Sequence, residues 1–541
     1  MDKKFKYVRA KVYDTQAKDF VFPEDELDEM KNKDSLGITF SGGGTRSASL
    51  TLGQLRALNN LGVLKRAKYM CGVSGGSWGT LPFVYLDKNI SDKTFLGDYL
   101  NPNQITLENL KNVPAQSMAN AIANSKILKS LIKDILEGHD LYSRVISRIF
   151  LKPFNIGEPN KFFTYNEKTR DEIVKQNSGS KFTADDFYLV NPNPNRPFYI
   201  AQGTIENYSF LNSQTAKAIE LPAPKNIDRY QFEMTPLYVG INPLYKDSKT
   251  FNGDIGGGYV QPHGFDTDAP DNFDTSTKWG QMKLGDKSRI FNLGEIIGTS
   301  GAAPAVYDWF TDLVEHIILK MPIFPDFKYW SNFNNPTQGN TKTYDFADGG
   351  GLENLGIMPL LKRGVKKIII FSNCETPLTG SDENTDPPQI TDSIPALFRP
   401  LKDNYGQKNF AYNVVFDKQI DKYNTLVKVL LQKIKDGVPP IHVDTYKVTQ
   451  QDFYGIKGGY EVEIMWVYNS PCTKWYAQLQ APVQDFMKDK KNHLTNFPHY
   501  KTFLQNPPEI IDLTPEQVNL EAHLSAWIVN ESADLIKDFL K

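Results

Sequence analysis

The sequence predicts an α/β fold, and three segments carry that prediction. Leu36-Gly37-Ile38-Thr39-Phe40 is a short apolar run that stops at a glycine turn, Ser41-Gly42-Gly43-Gly44-Thr45-Arg46, and such runs read as buried parallel strands. Ala67 to Val73 is a second run, stopping at Ser74. Val365 to Phe371, reading Val-Lys-Lys-Ile-Ile-Ile-Phe, is a third and a candidate central strand. After the first turn Leu50, Leu52, Leu55, Leu58 and Leu61 recur at helical spacing, with Gly62 placed as a stop. Ser74 opens a further helix through Leu86. Both turns therefore sit at strand C-terminal ends, where open α/β sheets place their ligands.

The remaining elements are read more coarsely. Residues 90–190 read as mostly helical, with apolar stripes at Ile127-Leu128 and Ile132 to Leu136. Pro197 to Thr204 and Met234 to Ile241 read as strands. The stretch 251–286, rich in Gly, Asp, Pro, Asn and Thr, reads as a long loop. Leu293 to Val306 contains the small-residue run Gly298-Thr299-Ser300-Gly301-Ala302-Ala303-Pro304. Residues 375–408 read as an acidic, proline-bearing loop, and the chain ends in an amphipathic helix near 516–540. No internal repeat and no low-complexity linker is present, so one large domain with excursions is the simplest account.

Composition narrows the function classes. The chain has 541 residues, 40% of them hydrophobic and 12% aromatic, enough for a large core. A net charge of −2 gives no global attraction to nucleic acid or to an anionic membrane, so no nucleic-acid partner is expected. Cys71, Cys374 and Cys472 show no metal-like spacing, and three cysteines suit a reducing compartment better than a disulfide framework. No apolar h-region follows Met1-Asp2-Lys3-Lys4, and no run of 18 apolar residues occurs. A cytoplasmic protein, or one peripheral on membranes, is expected.

The chemistry concentrates at the glycine turns. Gly72-Val73-Ser74-Gly75-Gly76 fits G-x-S-x-G, the sharp strand-to-helix turn that exposes a serine hydroxyl. Its position between an apolar strand and a helix makes Ser74 a candidate nucleophile; the alternative is a tight turn with a capping serine. Gly42 and Gly43 offer backbone N–H groups, with no side chains in the way, to an oxyanion. The same turn could cradle a nucleotide phosphate, but it matches neither G-x-G-x-x-G nor G-K-[ST]. Arg46 could pair with a substrate phosphate or carboxylate, or with a structural anion.

The base is a question between residue types. A serine hydrolase usually draws its base from histidine, and His442, His493, His499 and His523 all follow Asp348. None sits at a glycine-bounded turn. Asp348 does, in Phe346-Ala347-Asp348-Gly349-Gly350-Gly351, and desolvation could raise its carboxylate into a useful range.

Taken together, Ser-Gly-Gly-Gly-Thr-Arg at 41–46, Gly-Val-Ser-Gly-Gly-Ser-Trp at 72–78 and Asp-Gly-Gly-Gly-Leu-Glu-Asn at 348–354 resemble the cytosolic phospholipase A2 and fungal lysophospholipase (phospholipase B) family, a branch of the patatin-like hydrolases. Phe232 to Tyr238 and Gly298 to Pro304 are similar to further motifs of that family, with a weaker echo at Phe497-Pro498-His499-Tyr500. The resemblance implies a patatin-like three-layer α/β/α hydrolase with a central mixed, largely parallel sheet and lid-type insertions. It implies one phospholipase catalytic domain over residues 1–541, its core about 34–375 and residues 376–541 completing it. It implies Ser74 as nucleophile, Asp348 as base, Gly42 and Gly43 as oxyanion hole and Arg46 on the substrate phosphate. No metal, cofactor or catalytic histidine is implied.

The expected reaction is hydrolysis of glycerophospholipid or lysophospholipid acyl esters through an acyl-serine. The alternatives are an esterase or acyltransferase on other esters, or a catalytically inactive lipid-binding module. Only about 35 residues precede the first of these strands, too few for the calcium-dependent membrane-binding domain of some members, and the cysteines of the secreted members are missing. Transient membrane contact must then come from the catalytic domain. Ile317 to Phe324 with Phe327, Tyr329 and Trp330 would suit a headgroup interface or a core, and Lys488, Lys490 and Lys491 a solvated face.

Overall fold

The computed structural model describes residues 7–127, 129–130, 141–180, 182–192, 196–206, 229–249, 251–284, 290–302, 325–380, 388–399, 412–501 and 512–541. The strands, in chain order, are β1 (Tyr7–Asp14), β2 (Asp34–Phe40), β3 (Ala67–Val73), β4 (Phe162–Thr164), β5 (Phe187–Leu189), β6 (Phe198–Glu206), β7 (Arg229–Met234), β8 (Val239–Ser248), β9 (Gly253–Val260), β10 (Asn272–Asp274), β11 (Trp279–Lys283), β12 (Asp326–Tyr329), β13 (Lys342–Asp348), β14 (Lys367–Ser372), β15 (Ile441–Val448) and β16 (Tyr460–Tyr468). The helices that matter to the site are α1 (Gly44–Asn60), α2 (Gly75–Val84), α3 (Leu141–Phe150), α4 (Leu293–Ser300), α5 (Met358–Lys362) and α6 (Pro515–Glu531).

Among the described residues fourteen strands form one mixed sheet, and β4 pairs with β5 apart from it. Its centre, β6-β3-β2-β14-β16, is parallel throughout. Both wings are antiparallel: β15 beyond β16, and β7, β8, β9, β1, β11 and β10 beyond β6. The parallel part is thus narrower than the expected largely parallel sheet, because hairpins and short returns build the wings and need no helical crossovers.

Helices lie on both faces of the centre. Gly72 of β3 faces Ser77 and Thr80 of α2, whereas Gly37 of β2 faces Leu360 of α5 on the other side. Buried on both faces, Leu36, Ile38 and Phe40 of β2 and Ile368 to Phe371 of β14 are at most 1% exposed, which is why these strands read as continuous apolar runs. One hydrophobic cluster runs from Val8 to Leu540.

β6 branches. Along one edge its first half pairs in parallel with β3, ending at Val73 opposite Gln202. Along the same edge its second half pairs antiparallel with β13, ending at Asp348 opposite Gly203. Two strands therefore run toward each other and stop at adjacent positions.

Several expectations need correction. The stretch 251–286, expected as a long loop, contains the strands β9, β10 and β11. Gly258 is there for packing: a Cβ on it would lie 2.1 Å from Cγ of Phe333, so only glycine lets that ring cover the strand. The single strand expected over Met234–Ile241 is a hairpin, in which the Tyr238 N–H donates to Thr235 Oγ1 at 3.0 Å. The N-terminal strand β1 had no counterpart in the sequence reading. The terminal helix breaks at Ser532, and residues 517–529 of α6 are buried all round. The reason is cover on two sides. Ser525 Oγ donates to the Leu50 carbonyl of α1 and Asn519 Nδ2 to the Leu110 carbonyl, both at 2.8 Å. Phe327, Tyr329 and Trp330 are core residues; Ile317 to Phe324 and Ile132 to Leu136 lie outside the described residues. Among the described residues no helix is long and apolar enough to cross a membrane.

The α1–α6 contact generates a test. A Cβ on Gly53 would sit 1.9 Å from the Ala522 carbonyl oxygen. Alanine gains ~1 kcal/mol of helix propensity over glycine, but overpacking of a rigid backbone contact costs ~1–3 kcal/mol. Gly53→Ala should therefore unfold at lower urea concentration than the parent; an unchanged or higher midpoint would show that the two helices can part without cost.

Candidate active site

Ser74 occupies the turn between β3 and α2 with φ 51° and ψ −124°. A non-glycine residue in this region carries strain on the order of 1–3 kcal/mol and persists only where its surroundings impose it. The turn aims the serine off the strand end at the N-terminus of α2, whose partial positive charge favours an anionic oxygen there. α1 begins at the neighbouring turn, and a Cβ on Gly75 would lie 2.6 Å from the Gly44 nitrogen. Two helix N-termini thus meet beside Ser74, a residue only 4% exposed.

Asp348 ends β13 and turns into Gly349-Gly350-Gly351. Its carboxylate accepts the Gly350 N–H at 2.7 Å and lies beside the Ser74 hydroxyl. Burial pushes its pKa up from 3.8 to about 7, the Ser74 and Gly350 bonds and the Arg229 charge only partly opposing the shift. Arg229 lies 2.6 Å from Glu206, its cross-strand partner, and points Nη1 at the Gly351 carbonyl. The pair braces the aspartate turn. Neither residue stood out in the sequence, since each is one charged residue among many.

Gly42 lies beside Ser74, and Gly43 follows it in the turn. A Cβ on Gly42 would be 2.9 Å from Ser74 Cβ, and Gly43 adopts φ 141°, which favours glycine. The Gly42 N–H is shared between the Asn354 carbonyl at 3.2 Å and its Oδ1 at 3.1 Å. Asn354 is thus a site residue that the sequence reading passed over, although it closes the Asp-Gly-Gly-Gly-Leu-Glu-Asn run. Its place is fixed by Glu353, whose buried carboxylate accepts the Leu355 and Ile357 N–H groups at 2.6 and 3.0 Å.

Arg46 is close by but faces inward. It is 4% exposed. Nε donates to the Asn373 carbonyl at 3.0 Å, Nη1 donates to the Tyr500 carbonyl and lies 3.6 Å from Glu375, and Nη2 rests against Gly43. The guanidinium therefore ties the glycine turn to the loops at 373–375 and 497–500.

The five described histidines take other roles. His263 and His499 are buried and bonded to the Arg9 and Cys374 carbonyls, and burial brings both to about 4. His523 is buried in α6 and lowered to about 3, also by burial. His442 is half-buried on β15, and His493 sits at a surface turn. None of the five hydrogen-bonds Ser74 or Asp348. Cys71 is a buried thiol that burial raises far above its ordinary value. Among the described residues no group of three or more His, Cys, Asp or Glu side chains is placed to hold a metal ion.

Comparison with known proteins adds four findings. Residues 36–172, which include Gly42, Gly43, Arg46 and Ser74, match the family model described as lysophospholipase catalytic domain. No curated protein matches the sequence. Human GIVD cytosolic phospholipase A2 is similar in structure at 12% identity, with a TM-score of 0.44 over 95% of this chain and 60% of that one. The same human protein in complex with methyl gamma-linolenyl fluorophosphonate is similar at 13% identity and a TM-score of 0.42, with the same coverage. The chain thus spans about 60% of the length of these solved structures.

The raised carboxyl of Asp348 has a stability consequence. The folded chain keeps a proton up to about pH 7 that the unfolded chain releases near 3.8. Stability is therefore lost as pH rises from about 4 to about 7, and the loss is constant above that. Asp348→Asn should be stabilised relative to the parent, by an amount that grows over this window and then levels off. Urea unfolding at pH 4, 5.5, 7 and 8.5 checks it; a difference that grows toward acid would mean that Asp348 is ionised throughout.

Proposed function

We propose that this chain, which carries lysophospholipase catalytic-domain sequence over residues 36–172, hydrolyses the acyl ester of a lysophospholipid or glycerophospholipid through a Ser74–Asp348 dyad. One observation carries the reading: β3 and β13 end head-on along β6, so that the turn bearing Ser74 meets a buried carboxylate that burial raises to about 7.

The reaction runs in two halves. Ser74 Oγ attacks the ester carbonyl carbon while Asp348 takes its proton, and the carbonyl π pair moves onto oxygen. The Gly42-Gly43 turn and the two helix N-termini face that developing charge. Use of the Gly42 N–H requires it to exchange Asn354 for the oxyanion. Collapse of the tetrahedral adduct breaks the carbon–oxygen bond to the alcohol, which takes the proton from Asp348. Water then attacks the acyl-serine with Asp348 again as base, releasing the fatty acid and restoring Ser74. A base with pKa near the working pH is well matched to both steps.

Arg46 enters through the turn it holds. Its inward placement also favours a second reading, an esterase indifferent to a substrate phosphate. A phospholipid substrate would bring the chain into transient contact with a membrane surface from the cytoplasmic side, a setting that suits three reduced cysteines.

Labelling with a fluorophosphonate followed by peptide mapping tests the assignment. Modification should fall on Ser74, and Ser74→Ala and Asp348→Asn should each abolish turnover with the fold retained; an unlabelled, folded chain would favour a lipid-binding module. kcat/KM should rise with pH through about 7 as Asp348 ionises; a profile flat from pH 5.5 to 8.5 would remove Asp348 as base. Arg46→Ala separates the substrate classes. A role confined to the turn predicts equal losses on lysophospholipid and on a neutral p-nitrophenyl ester, whereas pairing with the phosphate predicts an excess loss on lysophospholipid of about 10²-fold.

A further inference from the structure

The small-residue run at the end of α4 is unused by the scheme so far, yet it reaches the most strained residue of the site. The Ser74 backbone N–H donates to Ser300 Oγ at 3.1 Å. Ser77, one turn into α2, gives its hydroxyl proton to the Ser74 carbonyl at 2.8 Å. The Ser77 and Ser300 hydroxyl oxygens stand 2.6 Å apart. A hydroxyl has one proton and two lone pairs. Ser77 therefore shares its one proton between the Ser74 carbonyl and Ser300 Oγ, and Ser300 Oγ accepts from both Ser77 and the Ser74 N–H. The three contacts close a ring: the Ser74 N–H on Ser300, Ser300 against the Ser77 hydroxyl, and Ser77 on the Ser74 C=O.

The ring is sealed. Ser77 and Ser300 have no exposed surface. α4 comes this close because residue 301 is glycine: a Cβ there would lie 2.4 Å from Nε1 of Trp78, whose ring stacks on Phe150 of α3 at 5.0 Å. The ring grips the N–H and the C=O of one residue, and so constrains both dihedrals that hold Ser74 at φ 51°. Overdetermination of this kind is what a strained residue needs. The Ser74 N–H, given to Ser300, is also withdrawn from any oxyanion, which leaves that role to the Gly42-Gly43 turn.

We propose that Ser300 is a positioning residue for the nucleophile: through Ser77 and the Ser74 backbone it sets the Ser74 hydroxyl toward Asp348 without touching substrate. The inference rests on the ester-hydrolase reading of Ser74.

The test uses the full chain as Ser300→Ala, Ser77→Ala and the double variant, with circular dichroism and thermal unfolding as fold controls. Two quantities are read: the rate of Ser74 modification by a fluorophosphonate, followed by intact mass, and kcat and KM on a p-nitrophenyl ester. Ser300→Ala should slow labelling and lower kcat by about tenfold or more, with KM unchanged. Because one ring is broken in every case, the double variant should be no slower than the slower single. A folded Ser300→Ala that labels at the parent rate, or losses that multiply in the double variant, would overturn the proposal. Should Ser300→Ala fail to fold, a folded Ser77→Ala labelling at the parent rate overturns it equally. An unlabelled parent chain overturns the proposed function together with this inference; a labelled parent with unimpaired variants overturns the inference alone.

Discussion

The branched edge of β6 is the constraint on which the site depends. Strands in a purely parallel sheet deliver their C-terminal ends to one rim, side by side. Here β3 arrives parallel to β6 and β13 antiparallel, on the same edge, and they stop opposite Gln202 and Gly203. Ser74 and Asp348 are separated by more than half the chain, yet Val73, just before the serine, and Asp348 itself pair with neighbouring residues of one strand. The antiparallel wing beyond β6 makes this possible. Without β7 on its far edge, β6 would be an exposed edge strand, a poor platform on which to hold two reacting groups in register.

Two local costs are concentrated at this junction, a positive-φ serine and a buried carboxylate. The surroundings offset each in a different way. The strain at Ser74 is held by a hydrogen bond from Ser77 and one to Ser300, and by tight packing of the two glycine turns. The carboxylate is kept near neutrality of charge by burial, while the Ser74 hydroxyl, the Gly350 N–H and the Arg229 guanidinium keep it from rising further. A more polar setting would leave Asp348 ionised but feeble as a base, and a drier one would keep it protonated.

A second layer holds the glycine turns from behind. Asn354, set by the Glu353 carboxylate, occupies the Gly42 N–H, and Arg46 ties Gly43 to carbonyls of the 373 and 500 loops. Loops from the C-terminal third thus reach the oxyanion turn, and α6 lies along the helix that follows it. The part of the chain after residue 375 is not an appendage to the site but part of its support.

The sequence by itself determined the parts with short-range causes. Apolar runs ending in glycine announced β2 and β3; G-x-S-x-G announced the turn at Ser74, and a glycine-bounded aspartate announced Asp348, because each is written in adjacent residues. Tertiary structure alone decided whatever depends on contacts distant in the chain. It made strands of 251–286, since Phe333 covers Gly258, and buried the last long helix on every side, since α1 and the 107–111 helix enclose it. It turned Arg46 inward. It also supplied Asn354, Arg229 and Ser300, residues that carry no local signal because each acts only on a partner that the fold brings to it.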